Sequence, residues 1–284
     1  PIIAGSILFL SFISFAFFKH SLFKEDRDHE IVYGTLTEEL AALKLNAHLV
    51  AKRVTAFISK DKNILIVLFI LAILTRVPML HYPDRTVFDE VIYVNYTMHI
   101  VHHEQFFDIH PPLARIIFAG IANNSPFALW SIPVVTNYQY GDFPYETLRL
   151  FIALMGTLLP LLLYLIGRLL KYSPPAAGLI ALFAILDNAL ILYSRAILPD
   201  TILLFLNFLG FAAALAAVQM VNQKKYRIAL VLLSGVALGL AISVKWTALA
   251  MLAIVWLMFL FARMYRAIII TGLVVIFSYV FIFS

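Results

Sequence analysis

Between residues 147 and 284 the chain is a nearly unbroken series of apolar runs joined by links of a few residues: 147–170, 175–193, 197–219, 227–244, 246–262 and 266–284. An earlier run covers 63–80. About 20 apolar residues cross the ~30 Å hydrocarbon core of a bilayer. Lipid offers no partners to backbone N–H and C=O groups, so such runs fold as helices packed on one another. The expected fold is therefore all-α, a polytopic transmembrane helical bundle. The composition agrees, with 63% apolar and 13% charged residues, against roughly 45–50% and about 25% in soluble domains. Cysteine is absent, which excludes disulfides, zinc–thiolate sites and thiol nucleophiles. The net charge of +5 reports membrane topology here and does not indicate nucleic acid.

Residues 1–18 make a further marginal span. Residues 37–59 have apolar positions at helical spacing among Lys44, Lys52 and Arg53, with Thr37 placed to cap. Residues 1–62 therefore read as an extra N-terminal span plus an amphipathic cytoplasmic linker. A membrane module over 63–284 follows. The chain starts without Met and stops inside an apolar run, so this module is expected to be incomplete at its C-terminus. Residues 81–146 form a long polar and aromatic first loop, with short interfacial helices expected at 89–103 and 112–122. Lys52, Arg53, Lys60 and Lys62, the link with Arg168 and Lys171, that with Lys224, Lys225 and Arg227, and that with Arg263 and Arg266 all fall on one side when spans are counted. The positive-inside rule makes that side cytoplasmic and places the 81–146 loop on the external face.

The loop carries most of the candidate chemistry. Asp89 and Glu90 are adjacent at a helix start, so one can face a substrate while the other supports it. Capping of the helix, worth about 0.3–1 kcal/mol, explains their position equally well. His110 is presented by the stiff Pro111–Pro112 pair. With Asp108, His102 and His103 it could hold a divalent metal, although no pair has a diagnostic ligand spacing. Isolated charges complete the set: Asp187 with Asn188, Arg195, Lys245, and Arg149 at a span start. A charge in mid-bilayer costs at least about 2.5–3.5 kcal/mol, so these groups either snorkel to the interface or face a polar cavity. In the second case Arg195 and Lys245 would clamp an anion such as a lipid phosphate.

Five stretches carry a resemblance: FDE (88–90), FFDIHPPLAR (106–115), YETLRL (145–150), LDNALILYSRAILPDT (186–201) and GLAISVKW (239–246). In this order they resemble the protein O-mannosyltransferase family, membrane glycosyltransferases of the GT-C class. The resemblance implies inverting transfer of mannose from a polyprenyl- or dolichyl-phosphate donor to Ser or Thr hydroxyls of proteins on the external face. Asp89 would be the general base and Glu90 its supporting acid. His110, Pro111 and Arg115 would line the acceptor and sugar site, and Arg149 and Arg195 would be structural or phosphate-contacting. No cofactor is required by this reading, and a divalent metal stays open. Partners would be the lipid-linked donor, the acceptor protein and membrane lipids; the oligomeric state is not indicated. Alternatives from the sequence are transfer to a lipid or glycan acceptor, a lipid-linked-sugar transporter, and a non-catalytic membrane subunit. The transporter reading expects paired repeats and broken helices, and the sequence shows neither.

Overall fold

The structure, a computed structural model, describes residues 60–123, 137–220 and 224–283. The expected span 1–18 and surface helix 37–59 lie outside the described residues. Within them run ten α-helices: α1 (Asp61–Arg76), α2 (Glu90–Val101), α3 (Leu113–Asn123), α4 (Tyr145–Leu169), α5 (Pro174–Leu186), α6 (Asn188–Tyr193), α7 (Asp200–Gln219), α8 (Lys224–Ile242), α9 (Leu249–Phe261) and α10 (Tyr265–Phe283). The all-α expectation holds, and α2 and α3 are the two short helices expected in the first loop.

Four helices, α4, α7, α8 and α10, are long and apolar enough to cross a membrane. Three expected spans are shorter as helices than their apolar runs. The run 63–80 is helical only as far as Arg76, within the 16-residue α1, because the chain turns there. The run 175–193 is broken: Asp187 takes extended backbone (φ −67°, ψ 121°) and its carboxylate accepts from Leu190 N at 2.8 Å, starting α6. A short acid side chain that bonds its own downstream backbone competes with helix continuation. The absence of broken helices read from the sequence is thus corrected. In the run 246–262 a 3₁₀ turn over Trp246–Ala248 precedes α9.

Helix pairing follows the spacing of small and apolar residues. Ile64, Leu68 and Ala72 of α1, four apart, bury against Tyr164 of α4 and Ala177, Ala181 and Ile185 of α5. Packing of α8 on α10 relies on Gly239, where a Cβ would sit 2.7 Å from the Ser278 Cβ. Such close backbone approach replaces the hydrophobic drive that lipid cannot supply. Leu273, Ile276, Phe277 and Phe281 of α10 stay exposed, as expected of a lipid-facing side.

Polar contacts identify the two ends of the bundle. At one, Arg168 of α4 donates to Asp61 of α1 at 2.5 Å and Gln219 of α7 donates to Leu169 O at 2.5 Å. The basic links fall here. At the other, Lys245 pairs with Asp200 at 2.8 Å. The first loop covers this second end. Its two flanks are stitched by backbone bonds, Thr86 N to Tyr138 O and Asn137 N to Thr86 O, both 2.8 Å.

Candidate active site at the end opposite the basic links

The adjacent acids of the first loop have opposite environments. Glu90 is fully buried. Its Oε1 accepts from Arg149 Nε and Ile197 N, both at 2.8 Å. Its Oε2 accepts from Arg149 Nη2 at 2.8 Å, the Tyr140 hydroxyl at 2.9 Å and Val87 N at 3.0 Å. Arg149 is 2% exposed and donates all five N–H groups. Besides Glu90 they reach Leu80 O (3.0 Å), Pro83 O (2.7 Å) and Arg85 O (3.2 Å). The rings of Tyr140 and Tyr145 flank the guanidinium at 5.4 and 5.0 Å. Burial, and next the Glu90 carboxylate, push the Tyr140 hydroxyl up and keep it a donor. This knot ties the start of α4 to residues 80–90 and to the turn before α7. It corrects two expectations. Glu90 does not support Asp89 as an acid, and Arg149 has no donor left for a phosphate.

Asp89 faces the other way. It occupies the N-cap position of α2, yet its side chain makes no capping bond, so capping does not explain it. Its carboxylate is exposed and lines a cavity of about 340 Å³ together with Tyr93, Tyr96, Asp108 and His110. The Tyr93 hydroxyl feels both Asp89 and Asp200, and burial, first, with these carboxylates pushes it up to about 12.

His110 reaches this cavity half-buried. Burial, and next the Lys245 ammonium, hold its imidazole below the ordinary value, opposed by Asp200. Its backbone N–H donates to Asp108 Oδ1 at 3.0 Å. Arg115, 3% exposed, pairs with Asp108, donates to His110 O and to Pro111 O at 2.6 Å, and lies over the rings of Tyr96 and Phe106 at 5.6 and 5.9 Å. Arg115 therefore holds the His110–Pro111 turn from beneath and does not meet a substrate, a further correction.

The candidate metal set Asp108, His102, His103 and His110 does not converge among the described residues. Asp108 is taken by Arg115, His102 and His103 are exposed at the end of α2, and no group of three His, Asp or Glu converges among the described residues. Asp187 caps α6 and Asn188 opens it, and neither lines the Asp89 cavity. Arg195 donates to Arg76 O at 3.0 Å and Met79 O at 3.3 Å, covering the free carbonyls at the end of α1. Those two bonds use two of its five donors, and Arg195 does not itself line the Asp89 cavity. Burial, then Arg149, lower its pKa. Lys245 is not a free clamp, since Asp200 neutralises it. Sequence reasoning missed Asp200. The signal was present: it is the acid nearest in sequence to the isolated Lys245 and shares its end of the bundle.

The sequence profile of the family described as dolichyl-phosphate-mannose-protein mannosyltransferase (PMT) matches residues 66–283. Dolichyl-phosphate-mannose–protein mannosyltransferase 1 of Schizosaccharomyces pombe is 35% identical over 209 residues, covering 71% of this chain and 23% of that protein. Protein O-mannosyltransferase 1 of Drosophila pseudoobscura is 34% identical over 149 residues, covering 52% and 16%. The chain thus spans under a quarter of the length of these relatives. A solved structure of the S. cerevisiae protein O-mannosyltransferase Pmt1–Pmt2 complex bound to the sugar donor matches with a TM-score of 0.63 at 23% identity, over 81% of this chain and 34% of that one. That likeness gives the bundle its GT-C fold. Together with its apolar helices, the match over residues 66–283 makes this chain an integral membrane protein that belongs to the dolichyl-phosphate-mannose-protein mannosyltransferase family.

Proposed function

We propose that this chain forms the reaction centre of a glycosyltransferase that moves mannose from a polyprenyl- or dolichyl-phosphate donor to a Ser or Thr hydroxyl of a protein. The observation that carries the reading is Asp89: a carboxylate with no side-chain partner among the described residues, on an open cavity, beside a neighbour wholly committed to structure. Asp89 takes the acceptor hydroxyl proton while that oxygen bonds to the sugar C1. The C1–O bond to phosphate breaks on the opposite face, so the configuration inverts and lipid phosphate leaves. The spare donors of Arg195 receive the negative charge as it develops on the phosphate. Neutral His110 bonds a sugar or acceptor hydroxyl from the cavity wall. The basic links at the far end favour a cytoplasmic position there, which supports an external position for Asp89.

The test is mannose transfer from dolichyl-phosphate mannose to a Ser/Thr peptide by the membrane-reconstituted protein, compared with Asp89→Asn. Loss of transfer with unchanged thermal stability is the expected result. Equal transfer by both proteins would discard Asp89 as the base and favour a non-catalytic subunit. Transfer to a lipid or glycan in place of the peptide would reassign the acceptor.

A further inference from the structure

The basic end of the bundle holds a second cavity, of about 550 Å³, between the first turns of α8 and α10 and the link before α10. Ligand sites generally occupy roughly 300–1,000 Å³. Its rim carries Lys224, Arg227, Arg263 and Arg266, and its floor includes Val231 and Ile270. No ion pair or hydrogen bond occupies these four cations among the described residues. No Asp or Glu is among the described residues that line the recess. At this end Asp61 is already held by Arg168 and Tyr164. Two helices begin here, α8 at Lys224 and α10 at Tyr265, and helix N-termini add partial positive charge and outward N–H groups.

Ordinary topology-setting lysines and arginines need only be on the right side of the bilayer. Four that ring one recess, with no acid among the described residues that line it and an apolar floor below, have the form of a headgroup site. Basic recesses between transmembrane helices bind acidic lipid headgroups. We propose that this recess is a binding site for the phosphate headgroup of an anionic phospholipid of the leaflet at the basic end. The cations and the two helix starts take the phosphate, and the floor takes the first part of the glycerol and acyl region. The three arginines offer bidentate forks to phosphate oxygens. The site is separate from the Asp89 cavity, which lies at the opposite end of the same helices.

The full chain in phosphatidylcholine vesicles with a minor fraction of phosphatidylinositol, extracted gently, is expected to keep phosphatidylinositol selectively when retained lipid is measured by native mass spectrometry. Arg227→Gln with Arg266→Gln should weaken that retention roughly thirtyfold. The matched Lys pair, Arg227→Lys with Arg266→Lys, should keep most of it, with thermal stability in detergent as the control for folding. Lys171→Gln, at the same end and outside the recess, should leave it unchanged. Equal retention of phosphatidylcholine, wild-type retention by the Gln pair, or an equal loss in Lys171→Gln would each overturn the site. Displacement of the lipid by inorganic phosphate alone would reduce it to a free-anion site and overturn the lipid assignment.

Discussion

Asp89 and Glu90 are neighbours in sequence and opposites in environment. Glu90 has five donors on its two oxygens and no exposed surface. Asp89 has no side-chain capping bond and an open cavity. A carboxylate pair on the first turn of a helix points its members about 100° apart, so one step along the chain separates a structural anchor from a carboxylate open to the cavity. Under the proposed function, rigidity and reactivity are divided between the two acids: the knot fixes α2, and α2 in turn fixes Asp89.

The comparison can be broken from either side. Asp89→Asn removes a proton acceptor and little else. Transfer should fall about 10²–10⁴-fold, the usual worth of general base catalysis, with no change in melting temperature. Glu90→Gln should do the reverse. It leaves the Arg149 cation buried without its counter-charge, a loss of about 3–5 kcal/mol, read as a large drop in melting temperature or in folded yield. A variant Glu90→Gln that melted like the parent would sink the division of labour. Gly156→Ala probes the frame beneath. A Cβ there would sit 2.2 Å from the Ser194 Cβ, so α4 would be pushed off the turn before α7 at a cost of about 1–3 kcal/mol, seen in stability and secondarily in transfer.

A smaller effect concerns His110. The folded protein disfavours its imidazolium, through burial and then Lys245. Protonation therefore favours the unfolded chain. This contribution is intact above the ordinary histidine value of about 6.5 and erodes as the pH falls below it. Activity that needs neutral His110 should accordingly persist to lower pH than an ordinary histidine would allow. Lys245→Met removes the cation and frees the Asp200 carboxylate, and both changes move the acid limb of the pH–rate profile upward. An unmoved limb would detach His110 from that pair.

The bundle was legible because apolar length and basic links are local signals that lipid makes nearly compulsory. The two first-loop helices were also legible, α3 from the prolines before it and its apolar face. The break at Asp187 was not, since Asp187 interrupts an otherwise continuous apolar run and its side-chain bond to Leu190 N is a choice between two local geometries. Nor was the inward turn of Glu90, because the α2 sequence has little contrast between its faces. The arginines misled for one shared reason. An isolated cation in an apolar stretch reads as a ligand for something outside the chain, yet Arg115 and Arg149 are satisfied by carbonyls and carboxylates that other segments deliver. Those partners exist only after folding.

Four arginines at this end donate to main-chain carbonyls: Arg76 to Ala184 O, Arg115 to Pro111 O, Arg149 to Leu80, Pro83 and Arg85, and Arg195 to Arg76 and Met79. The loop over the cavity has almost no strand or helix pairing of its own at residues 77–88, so these forks act as its staples. This has a consequence for sequence variation. Arginine-to-lysine exchange preserves charge and is commonly tolerated, but a lysine offers one point of attachment where the guanidinium offers several in fixed directions. At Arg149 the nominally mildest exchange would loosen the 80–85 segment at three points at once. Arg149→Lys would therefore present as a failure of assembly, with the proposed base Asp89 untouched.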